Sequence, residues 1–134
     1  MGLLVDTSVW SLAFRRDAPA IGAEVSVLRT ALERGESVVC TGLILQELLQ
    51  GFAGAKARGR LLQHFSALPF ISPDRNDHIE AAELRNHCRR NGVQVGTIDA
   101  LIAQLCIRHD LTLLSTDDDF RHAARFCSLR NWAS

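Results

Sequence analysis

Short apolar runs alternate along this chain with longer segments whose apolar residues recur every three or four positions. The first run, Leu3, Leu4 and Val5, predicts a buried strand that meets a charge at once, in Asp6. "SVWSLAFRR" then predicts a short helix with Ser8 near its N-cap, reaching Arg16. Ile21, Val25, Leu28 and Leu32 keep helical spacing across residues 20–34, and Gly35 ends that helix. Residues 37–40 read as a second buried strand. Thr41 caps a helix that runs to Gly51, apolar almost all round except for Glu47 and the glutamines.

A helix over 55–66 follows, and "LPFIS" gives an extended stretch ahead of Pro73. Residues 75–90 form a long helix with Ala81, Leu84 and Cys88 inward, closed by Asn91 and Gly92. Thr97 caps the next helix, whose inward stripe is Ile98, Leu101, Ile102, Leu105 and Cys106. Residues 111–115 make a buried strand, 117–124 a short helix, and "RFCSL" a final strand. Apolar strands alternating with helices predict an α/β protein, a parallel sheet covered on both faces. Sites in such sheets form beyond the carboxyl ends of the strands.

That rule gives the acids a meaning. Burying a lone carboxylate at the end of a core strand is costly. Asp6 nevertheless follows the first strand directly. Glu47 lies one to two turns into the helix after the second strand, and Asp99 is in the first turn of the helix opened by Thr97. Asp117 follows "LTLLST", with Asp118 and Asp119 behind it. Taken singly, Asp99 suits a helix N-terminus, Asp117 suits a cap and Glu47 suits a solvated face. Taken together they form one acidic edge, which needs raised pKa values or a bound cation. Oxygen ligands without His or Cys favour a hard ion, Mg²⁺ or Mn²⁺. Such ions activate water for attack on phosphate.

Composition narrows the setting. With 134 residues, 47% of them hydrophobic, the chain is expected to form one domain over 1–134. No apolar run approaches the ~18 residues of a membrane span, and no signal peptide is read at the N-terminus. A cytoplasmic protein without membrane contact is expected. The widely spaced Cys40, Cys88, Cys106 and Cys127 contain no C-x-x-C pair and read as free thiols. A net charge of zero argues against strong sequence-independent attraction of the whole chain to nucleic acid. Lys56 is the one lysine among fifteen basic residues. The clusters Lys56, Arg58, Arg60 and Arg85, Arg89, Arg90 read first as solvated helical faces and second as grips for phosphate.

"LLVDTSVW", "ILQEL", "VGTIDALIA" and "LTLLSTDDDF", in that order, resemble the PIN domain, in particular the VapC toxins of bacterial toxin–antitoxin pairs. The resemblance covers essentially the whole chain. It implies a three-layer α/β/α fold with a central parallel sheet, and a Mg²⁺- or Mn²⁺-dependent endoribonuclease. The family's four acids match Asp6, Glu47, Asp99 and Asp117 as catalytic and metal-holding residues, with Glu47 either holding metal or deprotonating water. Ser8 matches the polar residue that orients Asp6 or the water. Asp119 takes an auxiliary place in the D-x-D-F-like ending. Thr116, or Ser115 in its stead, supplies the family's hydroxyl ahead of the fourth acid. The implied reaction leaves 5′-phosphate and 3′-hydroxyl ends. The implied partners are a VapB-like antitoxin, an RNA substrate, a second copy of the chain in a homodimer, and promoter DNA only through the antitoxin.

Trp10 and Phe14, at helical spacing, serve either as core or as part of the groove that receives the antitoxin. His109, at a helix end, suits the dipole there. Two enzyme rivals also place acids at strand ends: phosphoacceptor receiver domains and aspartate-based phosphatases. Both use a lysine late in the chain, and Lys56 is early. The phosphatases also want Asp where Ser8 stands. A third alternative is a catalytically inert PIN-like module that binds RNA or a partner. Metal-dependent cutting separates it from a nuclease.

Overall fold

The structure, a computed structural model, describes residues 2–15 and 22–133. Arg16 and Ile21, at the ends of two predicted helices, lie outside the described residues. The strands are β1 (Leu3–Val5), β2 (Val38–Thr41), β3 (Phe70–Ile71), β4 (Thr112–Leu114) and β5 (Arg130–Asn131). They form one sheet, parallel throughout, in the order β3-β2-β1-β4-β5. The helices are α1 (Thr7–Phe14), α2 (Ala23–Glu33), α3 (Gly42–Gly51), α4 (Ala55–Phe65), α5 (Arg75–Arg90), α6 (Thr97–Arg108) and α7 (Asp118–Ala123).

The strand order explains why the central runs are apolar without alternation. β1, β2 and β4 are buried at every position, because helices cover both faces of the sheet. The chain builds outward from β1 to β3, then crosses back to place β4 on the other side of β1. The carboxyl ends of β1 and β4 therefore meet where the direction of winding reverses, the usual place for a site in such sheets.

Most predicted elements fall where the apolar spacing put them, and α5 keeps its predicted bounds. Gly35 and Gly92 follow α2 and α5 with φ of 67° and 79°, a conformation that glycine adopts without strain. Four details differ. Asp6, rather than Ser8, is the N-cap residue of α1. Gly96 precedes α6, and Thr97 is its first helical residue. Ile98 is 46% exposed, because the buried face of α6 starts one turn later, at Ala100, Leu101 and Ile102. The last strand is Arg130–Asn131 rather than "RFCSL". Phe126 instead closes a turn onto Ala123 O at 2.9 Å, and Leu129 anchors the chain before it pairs with β4.

Trp10 belongs to the core. It is 1% exposed and packs edge-on against Phe65, with ring centroids 4.7 Å apart. Phe14 stacks on it at 5.9 Å and reaches the surface. The groove role read for Trp10 is thus overturned: the indole sits under α4, and Phe14 is the aromatic residue left at the surface. Cys40, Cys88 and Cys106 are buried, Cys127 is half-buried, and all four are free.

Asp77 is a buried charge that the apolar pattern does not announce. It completes a capping box with Asp74 at the start of α5. Arg108, at the end of α6, grips both its oxygens: Nε donates to Oδ1 at 2.8 Å, and Nη2 lies 2.8 Å from Oδ2. Burial would raise the Asp77 pKa. The Asp74 backbone, Arg108 and Gln104 outweigh that and hold the carboxyl below its ordinary range.

Candidate active site

The site starts from Asp6, which is 8% exposed and leaves β1 with an extended backbone. Its N–H donates to Leu114 O at 2.9 Å, which ties it to the end of β4. Two hydroxyls meet its charge. Ser8 Oγ and Ser115 Oγ each donate to Oδ2 at 2.8 Å. Each serine is itself oriented by a backbone donor. Thr116 N–H reaches Ser8 Oγ at 3.2 Å, and Asp117 N–H reaches Ser115 Oγ at 3.0 Å. Two N–H groups at the end of β4 thus pass their polarity through two serines to one carboxylate oxygen. That arrangement compensates a charge the core would otherwise reject.

Asp117 is the N-cap of α7. Its Oδ1 accepts from Asp119 N–H at 2.9 Å, which folds Asp119 back toward it. Asp99 stands in the first turn of α6, behind Gly96. A Cβ at Gly96 would come within 3.7 Å of Asp99 Oδ2, so the chain passes close to that carboxylate. One oxygen from each of Asp99, Asp117 and Asp119 lies within 4.8 Å of the other two. Glu47 enters from α3 and accepts at Oε1 from Thr7 Oγ1, at 3.5 Å.

The electrostatics show that these acids share one space. Partial burial pushes Asp99 up to about 6, helped by the charges of Asp6, Asp117, Glu47 and Asp119, in that order. Burial and then Asp6 raise Glu47, while Thr7 opposes the rise. Asp99 thus feels four other carboxylates, and Glu47 feels Asp6.

The sequence reading placed Asp6, Glu47, Asp99 and Asp117 together and set Asp119 aside as auxiliary. The structure brings one oxygen of Asp119 within 4.8 Å of Asp99 and Asp117, while Asp6 exerts the largest charge effect on Asp99. Asp6 and Glu47 border that group. The choice between the two hydroxyls resolves in geometry. Ser115 reaches Asp6, whereas Thr116 contributes its backbone N–H and keeps its side chain exposed. Strand parity carried this signal: Val5 faces Leu114 across β1 and β4, so the next residue, Ser115, stands beside Asp6. The donor set fits a divalent cation, since its oxygens are hard ligands and their mutual repulsion, which adds to burial in raising Asp99, is what such an ion relieves.

Comparison with known proteins agrees with this geometry. The PIN domain family profile matches residues 3–126. The VapC ribonuclease Mb1587 of Mycobacterium bovis is 33% identical over 130 residues, 96% of each chain. Ribonuclease VapC11 of Mycobacterium tuberculosis matches to the same extent. Among solved structures, VapBC2 from Rickettsia felis, bound to a DNA fragment from its promoter, has a similar fold. The TM-score is 0.73 at 21% identity, over 99% of this chain and 100% of that one. With the family profile matched over residues 3–126 and relatives alike along nearly its whole length, the chain belongs to the PIN-domain family, among the VapC ribonucleases.

Proposed function

We propose that this chain is an endoribonuclease toxin that hydrolyses RNA phosphodiester bonds with Mg²⁺ or Mn²⁺, and that a cognate VapB-like antitoxin restrains it. The observation that carries this reading is the convergence of Asp6, Glu47, Asp99, Asp117 and Asp119 where β1 and β4 meet. Asp6, Asp99 and Asp117 hold the cation, directly or through water, with Glu47 and Asp119 beside them. A bound divalent cation neutralises these carboxylates and supplies positive charge for the phosphate and the leaving oxygen.

The protein's own groups do the rest. Ser8 and Ser115 fix Asp6 through Oδ2, so its geometry does not depend on the cation alone. Glu47 has its Oε1 engaged by Thr7 and its pKa raised by burial and by Asp6, and its other oxygen is left to hold the cation or to take a proton from the attacking water. Attack in line on phosphorus breaks the bond to the 3′ oxygen, leaving a 5′-phosphate and a 3′-hydroxyl.

The antitoxin segment is assigned to the face of α1 and α4, where Phe14, Arg60, Gln63 and His64 line an open hollow of about 440 Å³. Arg60 lies 5.8 Å above the Phe14 ring, which offers an incoming peptide a cation on an aromatic floor. A homodimer that meets promoter DNA only through its antitoxin completes the reading. The Rickettsia felis VapBC2 complex on promoter DNA supports it by analogy of fold. No helix among the described residues is long and apolar enough to cross a membrane.

Purified chain, free of antitoxin, is incubated with total RNA in Mg²⁺, Mn²⁺ or EDTA, beside Asp6→Asn, and the new 5′ ends are sequenced. Discrete cation-dependent cuts that Asp6→Asn abolishes are expected. RNA bound but uncut in every condition would replace this reading with the inert binding module.

A further inference from the structure

Thr41 ends β2 at the same sheet edge as Asp6. It is 0% exposed, and its Oγ1 has no hydrogen-bond partner among the described residues. It is the N-cap residue of α3, yet its side chain makes no cap bond. A buried hydroxyl that bonds nothing is unfavourable, and valine would fill the same shape without that penalty.

The sheet register says what the hydroxyl stands beside. Leu3 faces Val38 and Leu4 faces Val39 across β1 and β2. The backbone stays extended at both Asp6 (φ −70°, ψ 156°) and Thr41 (φ −134°, ψ 158°). Two residues on, the register sets Thr41 next to Asp6 on the same face, one strand spacing of about 4.8 Å away. The other flank of Asp6 shows what this placement does. There the same rule sets Ser115 beside Asp6, and its hydroxyl bonds the carboxylate at 2.8 Å. Ser8 and Ser115 both serve Oδ2. Neither serves Oδ1.

We propose that Thr41 is a positioning residue for the acidic site, its hydroxyl donating to the Asp6 carboxylate from the β2 side when a divalent cation engages that carboxylate. Asp6 is then held between hydroxyls from both neighbouring strands. Outer-shell donors of this kind orient ligating carboxylates and tune cation affinity. The inference rests on the proposed cation-dependent nuclease and adds a residue to its support.

The test is calorimetric titration of Mn²⁺ into the purified full chain, with thermal melts in EDTA beside it. Wild type, Thr41→Val, Thr41→Ser, Thr41→Ala and Asp6→Asn are compared. Thr41→Val should lower Mn²⁺ affinity by about tenfold. Thr41→Ser should stay within about twofold of wild type, because it keeps the hydroxyl. The cation-free melting temperature of Thr41→Val should equal or exceed that of wild type, a result that separates positioning from a structural role. Thr41→Ala supplies the same loss of hydroxyl should the valine variant fail to fold. If Thr41→Val binds Mn²⁺ as wild type does while Asp6→Asn does not, this inference falls and the nuclease reading stands. If Thr41→Ser loses as much as Thr41→Val, the effect follows shape and the inference also falls. If wild type takes up no cation, both fall together.

Discussion

Ser115 Oγ donates to Asp6 Oδ2 at 2.8 Å, across 109 positions of sequence. The bond joins the end of β4 to the end of β1, and Asp117 N–H donates in turn to the same Oγ. Ser115→Ala should therefore lower kcat/KM on a defined RNA by about 10- to 100-fold. Thr116→Ala should leave it within about twofold, since the main chain rather than the side chain of Thr116 reaches Ser8. Steady-state cleavage rates check the contrast. Equal losses in the two variants would remove Ser115 from its role.

Asp99 carries a pH signature. Its carboxyl is pushed up to about 6 by burial and by the acids around it. An acid whose folded pKa lies above its unfolded one stabilises the fold below the unfolded value, near about 4, and that contribution is lost as pH rises through the folded one. The cation-free chain should lose stability between about pH 4 and pH 6 from this group. Cation uptake must displace the same proton, so Mn²⁺ affinity should rise through pH 6 and then level. Calorimetry at several pH values checks it. A flat profile from pH 5 to 7 would contradict the assignment of Asp99 to the cation site.

The Asp77–Arg108 pair works in the opposite sense. Asp77 is held below its ordinary range. Its contribution is present above the unfolded pKa and is lost as pH falls through the lowered folded value. Arg108→Ala should lower the urea midpoint, because it leaves a buried carboxylate without its cation. Arg108→Lys should recover part of the loss, as an ammonium cannot grip both oxygens. Urea titrations at pH 7 measure all three.

Trp10 fills the space between α1 and α4, and its truncation to alanine should cost about 3–5 kcal/mol. Its Nε1 has no hydrogen-bond partner among the described residues. Trp10→Phe should then cost under about 1.5 kcal/mol, since it removes an unsatisfied donor along with part of the ring. Thermal denaturation of the two variants tests whether the indole acts through its area or its N–H.

Much of this was legible in the chain itself. Apolar runs without alternation announced a sheet covered on both faces, and acids at the ends of those runs announced the site. Three features were not. Trp10 reads equally well as core or surface from spacing alone, because Phe14 shares its face and only the path of α4 decides between them. The last strand was displaced because Phe126 and Cys127 are apolar without being strand residues, while the pairing residues Arg130 and Asn131 are polar and sit at a sheet edge. Asp77 was hidden because its partner, Arg108, lies 31 positions away, and local pattern says nothing of pairs so distant.

The winding of the sheet has a consequence for how the protein is made. Asp6 is synthesised 109 positions ahead of Ser115, with Asp117 and Asp119 later still. β4 must slot in beside β1 before Asp6 finds its second serine or Asp99 its neighbours. An arrested or clipped chain that ends before β4 therefore carries Asp6, Glu47 and Asp99 but no assembled edge. This topology withholds the acidic edge until β4 has been made and has docked beside β1.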